Sequence, residues 1–186
     1  MQFFLKKSKI NAFSALKITG SKSESNRVLL LQALYSGLKI NNLSNSDDSK
    51  LMQKAIASQS TVVDIHHAGT AMRFLTAYFA TRVGKTTTLT GSKRMQERPI
   101  KILVDALNSL GASITYIKNE GYPPILIEGK KLSKDSVSLK ANVSSQYISA
   151  LLLIAPTLDG GLSLHLEGKI TSIPVSYTHL TLPTIE

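Results

Sequence analysis

The sequence predicts an α/β fold, because segments typical of strands and of helices alternate along its 186 residues. Residues 61–65 (TVVDI) and 86–90 (TTTLT) are short runs rich in β-branched side chains, which favour strands. Between them, residues 70–81 place apolar side chains at the spacing of one helix face. The strand–helix–strand order recurs later in the chain, which indicates repeated structural units without repeated sequence.

The first half of the chain is predicted to contain three strands and three helices. Strands are expected at residues 15–19, 38–43 and 61–65, and helices at about 24–36, 47–58 and 70–81. Gly37 is expected to end the first helix. Ser46 or Asp47 is expected to cap the second, so the pair Asp47 and Asp48 is interpreted as a helix start rather than a paired-acid site.

The second half is predicted to contain five strands and two helices. Strands are expected at residues 86–90, 112–117, 123–129, 136–140 and 161–168, and helices at about 99–110 and 146–155. Pro99 is expected in the first turn of its helix. The turn-forming sequence NEGY predicts a hairpin of the two strands beside it.

The amino-acid composition excludes several classes of functional site and partner. The absence of cysteine excludes disulfides, thiolate zinc sites and cysteine nucleophiles. No apolar run is long enough to cross a bilayer, and the start of the chain lacks the order of a signal peptide, so a cytoplasmic protein is expected. The net charge of +10 suits either nucleic acid or a small polyanionic substrate. Basic residues are dispersed and tryptophan is absent, which disfavours nucleic acid.

Residues 20–27 (GSKSESNR) form the first of four candidate anion-binding segments. Ser21 or Ser23 can cap a helix, whose free amides and dipole favour an anion. Lys22 adds a positive charge beside that end. Arg27 lies one turn after Ser23 and can hold a carboxylate through two hydrogen bonds. An ordinary capped helix with exposed cations is the alternative.

Residues 66–73 (HHAGTAMR) form the second segment. Gly69 allows close approach of a ligand to the backbone, and Thr70 can cap the helix. Arg73 lies one turn further on and can bind an anion or pair with an acidic neighbour. The adjacent His66 and His67 are not interpreted as a metal site, because neighbours in a strand or turn point apart and no further ligand accompanies them.

Residues 92–100 (SKRMQERPI) form the third segment. Lys93, Arg94 and Arg98 surround a helix start, where positive charge opposes the helix dipole and therefore indicates an anionic partner. Pairing of Glu97 with one of the arginines is the alternative.

Residues 142–152 (NVSSQYISALL) form the fourth segment. Ser144 or Ser145 can cap a strongly apolar helix, and Gln146 can both donate and accept hydrogen bonds. Alone, this segment indicates only a well-capped helix.

Together, the motifs SKSESNR, AGTAMR, RMQERPI and VSSQ resemble the EPSP synthase family in order and chain context, as does DALNSLGASITY followed by GYPP. The resemblance covers about residues 8–174. It implies part of an inverse α/β barrel built from repeated βαβαββ units, in a protein whose two domains close over the substrates. Residues 14–174 would form an incomplete N-terminal domain, residues 1–13 a strand segment of the other domain, and residues 175–186 an unrelated tail.

The resemblance also implies a reaction of the shikimate pathway, which leads to aromatic amino acids. The enolpyruvyl group of phosphoenolpyruvate would be transferred to the 5-hydroxyl of shikimate 3-phosphate, with release of phosphate and without a metal or organic cofactor. Lys22 would lie between the substrates, and Ser23 and Arg27 would hold the shikimate part. Gly69 and Arg98 would bind phosphoenolpyruvate. The residues implied to contact shikimate 3-phosphate or its phosphate are Ser144, Ser145, Gln146 and Ser172, with His67, Thr70 and Arg73 in support.

Three departures from the family pattern accompany the resemblance. His67 stands where Asn is usual, and the stretch between Ser58 and residues 61–65 is shorter than usual. The pattern stops after Pro174, where Val175 replaces an expected tyrosine. The acid–base residues of the second domain are therefore expected to be missing, and the chain alone is expected to be inactive.

Two other functions remain open on the sequence. The related transferase that acts on UDP-N-acetylglucosamine shares the implied fold, but Lys22-Ser23 and RMQERPI disfavour it. A basic nucleic-acid-binding module is the alternative from another class. Neither a membrane nor nucleic acid is expected as a partner, and the sequence leaves the oligomeric state open.

Overall fold

The computed structural model describes residues 3–4, 6–7, 9, 12–13, 15–140, 142 and 144–168. Its helices are α1 (Lys22–Leu34), α2 (Asp47–Ala57), α3 (Gly69–Ala80), α4 (Lys93–Gln96), α5 (Lys101–Ser109) and α6 (Ser145–Ile154). Its strands are β1 (Val62–Asp64), β2 (Thr86–Thr90), β3 (Ser113–Tyr116), β4 (Ile125–Glu128), β5 (Ser136–Lys140) and β6 (Ser163–Glu167). A 3-10 turn, Ala155–Thr157, follows α6. The predicted α/β class is confirmed.

The strands form two sheets. In the first, the order is β1-β2-β4-β3, with β1 parallel to β2 and the hairpin β3–β4 joined antiparallel to β2. In the second, β5 and β6 are parallel. Each parallel pair is connected through one buried helix, α3 in the first sheet and α6 in the second. The recurring strand–helix–strand unit and the predicted hairpin are therefore both present.

Helix α3 lies at the centre of the core. All its residues except Thr70 are buried, and it packs against α1, α2, α5 and α6 as well as β2 and β4. Phe74 and Phe79 have no exposed surface, and burial of such a side chain contributes roughly 1.5–3 kcal/mol. The strands alternate buried with exposed or half-buried residues. Helices inside and sheets outside are the arrangement expected of part of an inverse α/β barrel.

Two predicted strands are wrong. Residues 15–19 run as exposed chain, with Leu16 and Ile18 87% and 77% exposed, because no described strand lies beside them to complete a ladder. Residues 38–43 bend instead of extending. Asn42 adopts a left-handed conformation with φ of 55°, which is incompatible with a continuous strand.

The helix predicted from Pro99 begins later than expected. Its first residue is Lys101, and the carbonyl of Pro99 instead accepts hydrogen bonds from Arg73 and Tyr147. Helix α1 ends at Leu34, and Gly37 follows with φ of 101° in the turn beyond it. No helix of the described residues has the length and apolar character needed to cross a membrane.

Parts of the predicted domain organisation lie outside the described residues. Residues 169–186, which include Ser172 and the predicted tail, belong to this part of the chain. Within residues 1–13, Phe3, Phe4 and Phe13 are highly exposed. The assignment of residues 1–13 to another domain stays a prediction.

Candidate functional site at three helix starts

Helices α1, α3 and α6 lie side by side near their N-terminal ends. Arg27 of α1 donates from Nη2 to Ser149 Oγ of α6 at 3.1 Å, and its Cζ lies 5.4 Å from the ring centre of Phe74 in α3. Gln146 of α6 donates from Nε2 to Thr70 Oγ1 of α3 at 3.2 Å. The N-terminal ends of three helices, which are the positive ends of their dipoles, therefore lie in one region and give it a positive potential.

Arg27 is buried and held by hydroxyl and carbonyl groups. It is 4% exposed and donates from Nη1 to the carbonyl and hydroxyl of Ser23 at 2.9 and 2.7 Å. Its Nε has no partner, and no carboxylate of the described residues pairs with it. Burial lowers the pKa of the Arg27 guanidinium, because desolvation disfavours the charged form. The alternative of an exposed cation is therefore wrong for this residue.

Lys22 lies at the start of α1 and faces an acid. Its Nζ is 3.8 Å from Asp48 Oδ1, while Ser21 caps the helix by accepting the Glu24 amide at 3.4 Å. Ser46, not an aspartate, caps α2, so Asp48 is available to Lys22. The Lys22 side chain is half-exposed, and this ion pair leaves it able to move toward a ligand.

Gly69 and Arg98 meet at the start of α3. A Cβ added to Gly69 would clash with Nη1 of Arg98 and lie 2.9 Å from its Cζ, so the guanidinium occupies the space above the glycine. The helix has no side-chain cap. The prediction that Thr70 caps it is wrong, because the Thr70 hydroxyl accepts from Gln146 instead. A cation therefore lies on an uncapped helix start, where an anion would satisfy both.

Arg73 supports the contact between Gly69 and Arg98 from the buried side. It is 4% exposed and donates to the carbonyls of Gly69 and Pro99, each at 3.0 Å. Tyr147 lies 5.9 Å from its Cζ and donates to the same Pro99 carbonyl at 2.8 Å. Burial lowers the pKa of Arg73, and the charge of Arg98 lowers it further, although Tyr147 acts in the opposite direction. Arg73 binds carbonyls rather than an acidic neighbour.

A cleft of about 490 Å³ opens beside the start of α3. The residues that line it are His67, Ser92, Arg94, Met95 and Arg98. None of these lining residues is acidic, and in the described part of the chain no ion pair joins Glu97 to either arginine. Ser92 caps the short helix α4 by accepting the Met95 amide at 3.4 Å. The cleft is therefore suited to an anion.

His66 and His67 point toward each other, contrary to the expectation for adjacent residues in a turn. Their Nδ1 atoms are 2.6 Å apart and their rings meet edge to face. The cause is the left-handed backbone of His66, with φ of 48°, which rotates its side chain toward its neighbour. Within the described residues, no group of three potential ligands is arranged to hold a metal ion.

The start of α6 contributes polar groups to the same region. Ser144 caps the helix by accepting the Gln146 amide at 3.3 Å, and Ser145 is its first residue. The sequence motifs did not identify Ser149 and Tyr147, two further residues of α6 that contact the site. Ser149 accepts a hydrogen bond from Arg27, and Tyr147 donates one to the Pro99 carbonyl. A signal was present for Ser149, because it follows Ser145 by four residues and so shares its helix face. Ser172 lies outside the described residues.

Comparisons with known proteins point to one family. The family model described as EPSP synthase (3-phosphoshikimate 1-carboxyvinyltransferase) matches residues 53–185. A protein of Bacteroides fragilis with the name 3-phosphoshikimate 1-carboxyvinyltransferase is 52% identical over 170 residues, which cover 91% of this chain and 41% of the relative. The structure of an EPSP synthase from Acinetobacter baumannii shares the fold with a TM-score of 0.74, at 19% identity over 87% of this chain and 41% of that chain.

A relative from Shewanella denitrificans, with the same name as the Bacteroides protein, is 38% identical over 194 residues, 90% of this chain and 45% of the relative. That alignment is longer than this entire chain, so the relative contains residues that the chain lacks, in agreement with the shortened stretch noted in the sequence. The chain spans less than half the length of these relatives. The matched range includes most of residues 175–186, whose assignment as an unrelated tail stays a prediction. On the evidence of its motifs, its fold and the family match, the chain belongs to the EPSP synthase family.

Proposed function

We propose that the chain supplies the anion-binding part of a 3-phosphoshikimate 1-carboxyvinyltransferase. This enzyme transfers the enolpyruvyl group of phosphoenolpyruvate to the 5-hydroxyl of shikimate 3-phosphate and releases phosphate. The observation that carries the proposal is the position of Arg98 on Gly69, at an uncapped helix start and beside a cleft whose lining residues include no acid. Family membership and the names of the relatives support the choice of reaction.

The two substrates would bind at neighbouring helix starts. Ser23 and Arg27 on α1, with Ser144, Ser145 and Gln146 on α6, would hold shikimate 3-phosphate. Gly69 and Arg98 would hold phosphoenolpyruvate. The hydrogen bond from Gln146 to Thr70 joins these two regions, so the substrates would lie next to each other, which favours their reaction.

Three further residues have supporting roles in the proposal. Lys22 would leave Asp48 to lie between the substrates. Arg73 would hold the Gly69 and Pro99 carbonyls in place, and through Pro99 the neighbouring Arg98. His67 lines the cleft. Ser172, which the sequence motif assigns to the phosphate, completes the proposed set.

The chain alone would bind without turning over substrate. The described residues that line the cleft supply arginines, a serine and a histidine, but no carboxylate to transfer a proton. In addition, the chain spans 41% of its Bacteroides relative. Residues beyond this span would supply the remaining acid–base groups and exclude water from the site.

A titration with shikimate 3-phosphate, followed by amide NMR, tests the proposal. We expect saturable shifts at the starts of α1 and α6, and loss of at least about tenfold in affinity in Gln146→Ala, which removes a group worth about 1.5 kcal/mol to a charged ligand. Ser23→Ala should weaken binding in the same direction.

Phosphoenolpyruvate, added after saturation with shikimate 3-phosphate, should shift the amides of Gly69 and Thr70, and Arg98→Ala should abolish this effect. Arg82→Ala is the matched control, because Arg82 follows the opposite end of α3 and lies over Tyr78. A folded chain whose spectrum does not respond to either ligand would contradict the proposal.

A further inference from the structure

Beyond the substrate-binding roles, the His66–His67 contact has a chemical consequence. Two Nδ1 atoms 2.6 Å apart require a proton between them, because two bare lone pairs repel each other and two N–H groups would collide. One ring therefore donates from Nδ1 and the other accepts at Nδ1. The accepting ring, when neutral, must have its own proton on Nε2.

This geometry limits the charge of the pair. With both rings neutral, the donor ring has a bare Nε2, which can take up one proton while the contact stays intact. A second added proton would place N–H groups face to face and break the contact. The pair with its contact intact is therefore either neutral or singly positive.

The charges around the pair connect it to an anion in the cleft. His67 lines the cleft together with Arg94 and Arg98, and Arg73 lies behind Gly69. The acid on the neighbouring strand is Asp64, whose Oδ1 accepts the backbone N–H of His66 at 2.7 Å. An anion bound among these arginines would favour a proton on the imidazoles, because an opposite charge nearby favours the charged form.

The backbone fixes the pair at this position. The left-handed turn at His66 brings the rings together, and the His66 carbonyl accepts the Ser92 amide at 2.9 Å. Ser92 itself lines the cleft and caps α4. Because Nδ1 of His67 is used in the contact, its Nε2 is the nitrogen left for a ligand in the cleft.

We propose that His66 and His67 form a proton-sharing pair that couples anion binding in the cleft to the uptake of one proton from solvent. The inference deepens the proposed function, because it concerns the same anion site. The anion would draw the shared proton toward His67, whose Nε2–H would donate to it. Binding of a dianion would therefore tighten as the pH falls, although the ligand does not change its charge.

The first test reads the imidazole nitrogens of the free chain by long-range proton–nitrogen NMR. One ring of the pair should have its proton on Nδ1, which is the less usual tautomer, and the other on Nε2. Two rings with their protons only on Nε2 would overturn the inference before any ligand is added.

The second test titrates the chain with sulfate, which stays a dianion, at about pH 8 and about pH 6. We expect roughly fivefold tighter binding at the lower pH, from one added positive charge near the anion in a solvated cleft. His67→Asn keeps a donor and removes the titration, so it should abolish this dependence. His165→Asn makes the same replacement on β6, away from the cleft, and should behave as the wild type.

The outcomes separate this inference from the proposed function. If the tightening persists in His67→Asn, or if sulfate does not bind at about pH 6, the proton-sharing pair is wrong. If shikimate 3-phosphate binds but the dependence on His67 is absent, the proposed function stands without the pair. If sulfate shows the dependence on His67 and neither substrate binds, the pair stands and the proposed function does not.

Discussion

The guanidinium of Arg98 lies directly on Gly69, in the space that any larger residue at position 69 would fill. This contact joins the first residue of α3 to the segment between α4 and α5. It places a positive charge where the free amides of the helix already favour an anion. The absence of a side chain at Gly69 therefore determines the geometry of the cleft.

The variant Gly69→Ala is expected to displace Arg98 without loss of the fold. A methyl group at this position clashes with the guanidinium, which is the movable end of an exposed side chain, whereas alanine suits a helix better than glycine. We expect the free energy of unfolding to stay within about 1 kcal/mol of the wild type. Sulfate binding in the cleft should weaken at least about tenfold, equivalent to about 1.4 kcal/mol.

Denaturant unfolding and the sulfate titration measure these two effects. Gly160→Ala is the control, because a methyl group there lies 3.3 Å from Asp135, an exposed side chain away from the cleft. Undiminished sulfate binding in Gly69→Ala would show that the position of Arg98 does not determine the site.

Arg27→Met separates binding from stability. Arg27 is buried without an acidic partner, so removal of its charge stabilises the folded state. The variant also loses the hydrogen bonds to Ser23 and Ser149, which destabilises the folded state. We expect these effects to cancel to within about 1 kcal/mol in the free energy of unfolding. Shikimate 3-phosphate binding should fall at least about tenfold, because Ser23 loses its anchor and the site loses a cation.

Arg27→Ala provides the contrast, since it removes the side-chain volume as well as the charge. Arg27→Ala should lower the free energy of unfolding by about 2–4 kcal/mol, because it leaves a cavity beside Phe74. If Arg27→Met is as unstable as Arg27→Ala, the hydrogen bonds of the guanidinium outweigh its desolvation.

The sequence predicted most helices well because their signals are local. The apolar spacing and the serine caps place α1, α2 and α6 within two residues of their observed starts. Strands at residues 15–19 and 38–43 were wrong for a physical reason. A strand requires a neighbouring strand, which composition does not reveal. Composition also does not predict that Leu16 is exposed or that Asn42 has a left-handed backbone.

The candidate site was also predictable where its signals are local and not where it depends on the fold. Gly69, Arg98 and Gln146 each belong to a sequence motif, and the structure brings them together near neighbouring helix starts. The His66–His67 contact depended on a single positive φ, which the sequence does not reveal for a histidine. Tyr147 was interpreted only as part of an apolar helix, although it donates to the Pro99 carbonyl. Such contacts between distant segments require the fold.

Tyr116 is expected to make the fold less stable at alkaline pH. Burial raises the pKa of Tyr116 to about 12, with a smaller contribution from the Asp105 carboxylate. An unfolded chain loses this proton near pH 10, so between about pH 10 and 12 the unfolded state binds fewer protons and stability falls as the pH rises. With allowance for partial solvent screening, Tyr116 should account for about 1 kcal/mol of that loss.

Tyr116→Phe should reduce the alkaline loss and raise stability slightly at neutral pH, because the buried hydroxyl has no hydrogen-bond partner. Denaturant unfolding across this pH range, with Tyr35→Phe as an exposed control, gives the comparison. Parallel pH profiles for Tyr116→Phe and the wild type would contradict the assignment.

Gln146→Glu should stabilise the fold and weaken binding together. The new carboxylate lies in the first turn of α6 and within reach of Thr70 at the start of α3, where both helix dipoles favour negative charge. We expect about 0.3–1 kcal/mol of added stability at low salt. The same charge repels phosphate, so shikimate 3-phosphate should bind at least about tenfold more weakly.

Gln53→Glu makes the same change on the exposed face of α2 and should leave binding unchanged. Denaturant unfolding and the NMR titration, compared at low and moderate salt, measure both effects. Loss of stability in Gln146→Glu would show that the three helix starts do not share a positive potential.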